Sequence, residues 1–225
     1  MNVAIVVAGG QGTRFGGDRP KQFLELNGSP VIIHTLRRFE QTQQIQQIIV
    51  VLPAPEVPGF QTLLDKCGLP KVSAVVAGGS TRARSVRNGL AAVQTADVVA
   101  VHDAVRPLVS ADEIDRVVMV AAETGAAILV TAVGDTIKEV ANDRILKTLS
   151  RSQLRRALTP QAFHFHILKR AYDELEQIEA AGIDVTDDSF LVENLGVAVS
   201  FVEGSARNIK ITNPEDLAVA EALLR

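Results

Sequence analysis

The stretch Met1-Asn2-Val3-Ala4-Ile5-Val6-Val7-Ala8-Gly9-Gly10-Gln11-Gly12-Thr13-Arg14-Phe15-Gly16-Gly17, at the start of a 225-residue chain, decides the fold. Residues 3–8 are apolar with no in-and-out alternation, which predicts a strand covered on both faces, as in a parallel sheet. The glycines that follow let backbone N–H groups approach and point at phosphate oxygens. Arg14, and Lys21 of the trailing Pro20-Lys21-Gln22, add the full charges that a reacting phosphorus centre requires.

Working outward, similar apolar runs fall at 47–52, 72–77, 98–101 and 127–133. Amphipathic stretches at about 30–41, 56–66, 80–93 and 111–123 separate them and read as helices. This alternation predicts a single Rossmann-like α/β domain over 1–225, with a mostly parallel, doubly wound sheet and its site at the carboxyl ends of the strands. Residues 135–156 break the pattern. Two short β-type runs, 136–140 and 144–149, flank Asn142-Asp143, which suits a hairpin turn. A lone hairpin is marginal in water, so this arm is expected to lie against a second copy of the chain. Beyond it the sequence predicts a helix over 160–177, a short one over 187–194 and strands at 198–202 and 209–212. A last helix is opened by Asn213-Pro214-Glu215-Asp216.

Hydrophobic residues at 47%, charged residues at 22% and a net charge of −3 describe an ordinary globular chain and exclude a polybasic nucleic-acid binder. Cys67 is the single cysteine, so no internal disulfide forms. The N-terminus lacks signal-peptide anatomy, and no apolar run approaches the roughly 20 residues of a membrane span. A cytoplasmic location, with no membrane partner, is the expectation.

The glycine loop admits several readings. A Walker A loop ends in Gly-Lys-Ser/Thr, which is absent here. Gly10, Gly12 and Gly16 come nearer a dinucleotide fingerprint, but Pro20 and the cap signal Asn27-Gly28-Ser29-Pro30 delay the helix. A purely structural turn is the remaining alternative. Residues 8–15 followed by 20–22 resemble the signature of nucleotidyltransferases that activate sugar phosphates. In its Pro-Lys-Gln form the loop resembles the 2-C-methyl-D-erythritol 4-phosphate cytidylyltransferase family of the non-mevalonate isoprenoid pathway. Six further blocks continue the likeness in order: Gly78-Gly79 with Arg82 and Ser85, residues 101–107, 135–138, 158–161, 186–188, and Glu203-Gly204 with 208–212.

That resemblance implies a CTP site built from Ala8, Gly9, Gly10, Gly12, Thr13, Arg14, Lys21, Gly79, Ser80, Ser85, Ala104 and Lys210, with Gly79 and Ser85 holding cytosine and ribose. It implies a polyol-phosphate site from Asp103, Arg106, Thr136, Thr159, Thr186 and Arg151, the last reaching across a homodimer interface. Arg14, Lys21, Arg151 and Lys210 are the implied catalytic residues. From residue type alone, Asp103 at a strand end suits Mg²⁺, which needs one or two carboxylates beside phosphate oxygens, although a turn cap is the plain alternative. Arg106 suits a phosphate or a salt bridge, and Arg82 an anion or an ion pair. Lys210 needs an anion if it faces inward and none if it faces solvent. Members of the family often carry an acid at the positions of Ser80 and Arg207; with Arg207 in place, metal binding is expected to rest on Asp103. His102 beside it reads as a core or orienting residue, since adjacent strand residues face opposite ways. His164 and His166 make a poor metal pair, and Cys67 has no neighbouring base.

The implied chemistry is in-line attack of a substrate phosphate oxygen on the α-phosphorus of CTP, with Mg²⁺ or a similar cation. The attacking oxygen is already anionic near neutrality, so no general base is needed. A ribitol 5-phosphate cytidylyltransferase, a non-catalytic nucleotide sensor and a dinucleotide-dependent oxidoreductase are the rival readings.

Overall fold

The computed structural model describes residues 1–9 and 20–224. Strand β1 (Val3–Val7) leads past a small hairpin, β2 (Glu25–Leu26) and β3 (Ser29–Pro30), into α1 (Val31–Glu40). There follow β4 (Gln47–Leu52), α2 (Val57–Asp65), β5 (Val72–Ala77), α3 (Arg82–Ala91), β6 (Val98–Asp103), α4 (Ala111–Thr124) and β7 (Ala126–Ala132). The arm is β8 (Lys138–Ala141) and β9 (Arg144–Thr148). The chain then returns as β10 (Arg155–His164), α5 (Phe165–Asp173), α6 (Leu175–Ala180), α7 (Asp188–Asn194), β11 (Ser200–Glu203) and α8 (Pro214–Leu224).

Seven described strands form one sheet in the order β11-β7-β10-β6-β1-β4-β5. All neighbours are parallel except β10, which runs antiparallel between β6 and β7. The unbroken apolar character of β1 has a direct cause. Ala4 and Val6 enter one core with Leu36 and Phe39 of α1 and Ile114 and Val117 of α4. Val3, Ile5 and Val7 enter the other with Val86 and Leu90 of α3 and Leu168 of α5. Helices on both faces demand apolar residues at every strand position.

Local chemistry sets the element ends. Thr81 caps α3 by accepting from the Arg84 N–H at 3.1 Å, and Ser110 and Glu113 form a capping box on α4. Asn142 and Asp143 take φ of 46° and 60°, the left-handed pair that a two-residue hairpin turn requires, so the arm is a hairpin as expected.

Two expectations fail. Residues 160–164 belong to a strand, and the helix begins only at Phe165. The buried run from Leu158 to Phe163 fills the gap between β6 and β7, and the register shift between Ala157 and Gln161 accommodates Pro160. Residues 209–212 form no strand; a single bond from the Ile211 N–H to the Val105 carbonyl, 2.9 Å, ties that segment to the loop after β6.

Candidate active site

The carboxyl ends of β6 and β1 lie side by side, that of β5 lies one strand further along beyond β4, and the loops leaving all three line the site. The Ala104 N–H bonds the Val7 carbonyl at 2.9 Å. Gln22 is buried and donates to the Ala8 carbonyl at 2.8 Å, which pins the Pro20-Lys21-Gln22 segment beneath the end of β1. A Cβ on Gly9 would lie 2.5 Å from Ser85 Oγ, and one on Gly79 2.5 Å from Arg84 Cβ. Only glycine permits that close approach of the β1 loop to the start of α3.

A cavity of about 470 Å³ opens there, lined by the backbone-rich Ala8, Gly9 and Gly79 with Ser80, and by the charged Lys21, Arg82, Asp103 and Lys210. A second, of about 280 Å³, is lined by Arg106, Thr159 and Thr186, and again by Arg82, Asp103 and Lys210. The two cavities therefore meet along one seam of charged side chains.

Asp103 is the centre of that seam. Its Oδ1 accepts from Arg82 Nε at 3.0 Å, and its Oδ2 faces Lys210 Nζ at 2.9 Å and Arg106 Nε at 3.4 Å. Burial pushes its pKa upward, but Arg82, Lys210 and Arg106 together hold the carboxyl well below the usual carboxylate range. Arg106 also donates to the Asn208 carbonyl at 3.0 Å, and Asn208 donates from Nδ2 to the Thr159 carbonyl at 2.9 Å. Thr159 is buried; its Oγ1 accepts from the Asp103 N–H at 3.2 Å and lies 2.9 Å from His102 Nδ1. His102 has its other ring nitrogen 3.2 Å from the Arg106 carbonyl, and burial pushes its pKa down to about 3. It is thus a neutral buried orienting residue, not a base.

The remaining site residues expected from the sequence divide into three groups. Gly10, Gly12, Thr13 and Arg14 lie outside the described residues. Ser85 is buried beneath the loop, with its hydroxyl 3.1 Å from the Gly79 N–H and 2.8 Å from the Thr81 carbonyl, so it shapes the cavity from behind. Ala104 is also buried, its carbonyl taken by the Thr35 hydroxyl at 2.7 Å. Thr136 and Arg151 sit at the base of the arm, are exposed, and line neither cavity of their own chain; Arg151 donates to the Gly134 carbonyl at 2.7 Å.

The metal expectation meets a physical obstacle. Both oxygens of Asp103 are already engaged by cations, and an Mg²⁺ ion coordinated there would stand among three like charges. Among the described residues no group of three His, Cys, Asp or Glu could hold a metal, and Arg207 is turned to the Leu223 carbonyl. With Asp103 paired in this way, a cation there would need Lys210 and Arg106 to move onto phosphate oxygens first. Lys210, for its part, has the anionic partner that an inward lysine needs, although it lies on a loop and not on the strand expected.

Sequence reasoning assigned no role to Asp188, Gln161 or Tyr172. Gln161 Oε1 accepts from the N–H groups of Asp188 and Ser189, both at 3.0 Å, and its Nε2 donates to Asp187 at 2.8 Å. Asp188 receives Arg82 and Tyr172. One signal was available: Tyr172 lies one helical turn after the apolar Leu168 and next to Ala171, and a buried tyrosine hydroxyl must find a partner.

Comparison with known proteins places this geometry. The family model for IspD, 2-C-methyl-D-erythritol 4-phosphate cytidylyltransferase, matches residues 2–225. A protein of that name from Syntrophus aciditrophicus is 45% identical over 99% of this chain and 95% of its own length. One from Bacillus velezensis is 44% identical over 99% and 95%. Among solved structures, the 4-diphosphocytidyl-2C-methyl-D-erythritol synthase of Anaerococcus prevotii superposes with a TM-score of 0.86 at 30% identity, covering 99% of this chain and 95% of that one. The Thermus thermophilus cytidylyltransferase gives 0.79 at 32%, covering 98% of each. The chain belongs to the 2-C-methyl-D-erythritol 4-phosphate cytidylyltransferase family.

Proposed function

We infer that the protein transfers CMP from CTP to 2-C-methyl-D-erythritol 4-phosphate, giving 4-diphosphocytidyl-2-C-methyl-D-erythritol and pyrophosphate, a step in isoprenoid precursor synthesis. The observation that carries this reading is the seam: two cavities of different size share Arg82, Asp103 and Lys210, so two bound phosphates are brought face to face over them.

CTP occupies the larger cavity, with its triphosphate against the β1 loop and Lys21. The polyol phosphate occupies the smaller one, between Arg106, Thr159 and Thr186. A phosphate monoester has its second pKa near 6, so the attacking oxygen is an anion at neutral pH and the site has no need of a base. The neutral, fully bonded His102 accords with that. Lys210 is 36% exposed at its side chain and, among the described residues, is ion-paired with Asp103 alone, so it can turn towards a phosphate. Arg106 is placed to do the same from the other cavity. Asp103 holds these cations together and oriented while the cavities are empty, and the incoming phosphates displace it as their partner. A divalent cation, held at Asp103 once the phosphates have taken over its cationic partners, would supply further neutralisation of the leaving pyrophosphate.

The arm points to a homodimer. Val140, Ile145 and Leu146 are exposed to 64%, 65% and 58%, and Arg151 beside them touches neither cavity of its own chain. A second copy that covers these residues would bring Arg151 to the polyol phosphate of the first.

The deciding experiment is pyrophosphate release with each of the four NTPs, using 2-C-methyl-D-erythritol 4-phosphate or ribitol 5-phosphate as acceptor. Turnover with CTP and the methylerythritol phosphate alone is the expected result. Preference for ribitol 5-phosphate would overturn the acceptor assignment, and CTP binding with no turnover on either would overturn the activity.

A further inference from the structure

Behind the seam lies a second charged layer that the transfer reaction, as described above, leaves unused. Asp188, at the start of α7, is completely buried. Its Oδ1 accepts from the Tyr172 hydroxyl of α5 at 2.5 Å and its Oδ2 from an Arg82 Nη at 2.8 Å. Arg82 then spends its Nε on Asp103. One guanidinium therefore bridges two carboxylates, a geometry that a lysine ammonium does not reproduce, because the arginine fork fixes both donor directions at once.

Burying a carboxylate is costly, and well-packed apolar residues would join two helices at least as firmly. The surroundings are nevertheless built to keep it. The N–H of Asp188 is satisfied by Gln161 of β10, and burial and the Asp188 charge both raise the Tyr172 pKa, so the phenol remains a donor. The chain of bonds Tyr172, Asp188, Arg82, Asp103 ends at the carboxylate that both cavities share.

We propose that Tyr172 and Asp188 are positioning residues for the transfer: they fix the orientation in which Arg82 holds one oxygen of Asp103 and so leaves the other to Lys210 and Arg106. Without that anchor Arg82 follows Asp103 freely, the carboxylate rotates, and Lys210 and Arg106 no longer start from the positions that meet the two phosphates. The inference rests on the cytidylyl-transfer reading of the seam.

The test is steady-state kinetics, varying each substrate in turn, for Tyr172→Phe, Asp188→Asn, Arg82→Lys and the pairwise combinations, with thermal unfolding measured beside them. Tyr172→Phe and Asp188→Asn should each lower kcat by roughly threefold to tenfold with KM for either substrate nearly unchanged, and each double variant, those with Arg82→Lys included, should have a kcat no lower than that of its slower single variant. If Asp188→Asn does not fold, Tyr172→Phe against Arg82→Lys completes the same cycle. Variants that melt earlier but keep wild-type kcat, or whose losses in kcat multiply, would overturn the proposal while wild-type turnover upholds the functional reading. Wild-type enzyme silent with both substrates would bring down the two together.

Discussion

Asp103 shows how a site for anions is kept ready when it is empty. Three cations at 2.9 to 3.4 Å would repel one another without a central carboxylate, and with it they are held within reach of both cavities. Lys210 is the member of this group with the freest side chain, and replacing it removes a donor from the transition state without opening a hole in the core. Lys210→Met should lower kcat by on the order of 10²-fold, the usual loss for one such donor, with the melting temperature little changed. Turnover within a fewfold of wild type would take Lys210 out of the reaction. Asp103 and Arg106 were legible in the sequence, because they follow the apolar run 98–101 where an α/β sheet places its site, whereas Lys210 was assigned to the site only by the family resemblance. Their pairing was not. Which acid an arginine meets depends on contacts between segments far apart, and Arg82 finds Asp188 across 106 residues with no local pattern to announce it.

Among the elements, β10 shapes the site, and the proposed dimer rests on the arm. Residues 160–164, the end of β10, were expected to open a helix, and the buried segment 158–163 to which most of them belong is short. A short buried run of that kind does not distinguish strand from helix. Its insertion between β6 and β7 puts Thr159 against Asp103 and lets Gln161 hold the start of α7, so the misread element is also the one that joins the two halves of the site. The arm was legible, since Asn142-Asp143 between two β-type runs has few other readings. Replacing Val140, Ile145 and Leu146 with Ser should leave the domain folded, shift the protein from dimer to monomer in sedimentation, and lower turnover at least tenfold as the partner's arm is lost. A wild-type protein that sediments as a monomer at assay concentration, with full activity, would contradict that role. The last helix is tied in electrostatically: burial raises the Asp216 pKa, but the Thr212 and Asn213 donors, with Lys21 as a more distant contribution, bring it below its ordinary value.

For the molecule as a whole, helices on both faces of a mostly parallel sheet leave the carboxyl edge as the place where glycine loops and charged side chains can meet without disturbing either core. That architecture followed from the strand–helix alternation, because periodicity is a property of the chain that needs no partner to be read. Among the described residues no helix is long and apolar enough to cross a membrane. The two cavities and the seam between them imply a single displacement, in which the substrate phosphate attacks the α-phosphorus directly. The described seam presents arginines, a lysine and a carboxylate already paired with them, and its nearest histidine is buried behind it. The most direct test is the stereochemical course of the reaction with CTP made chiral at the α-phosphorus by sulfur substitution. A single in-line displacement inverts that centre. Retention would require two displacements through a covalent nucleotidyl-enzyme, and would contradict the direct meeting of the two phosphates at the seam.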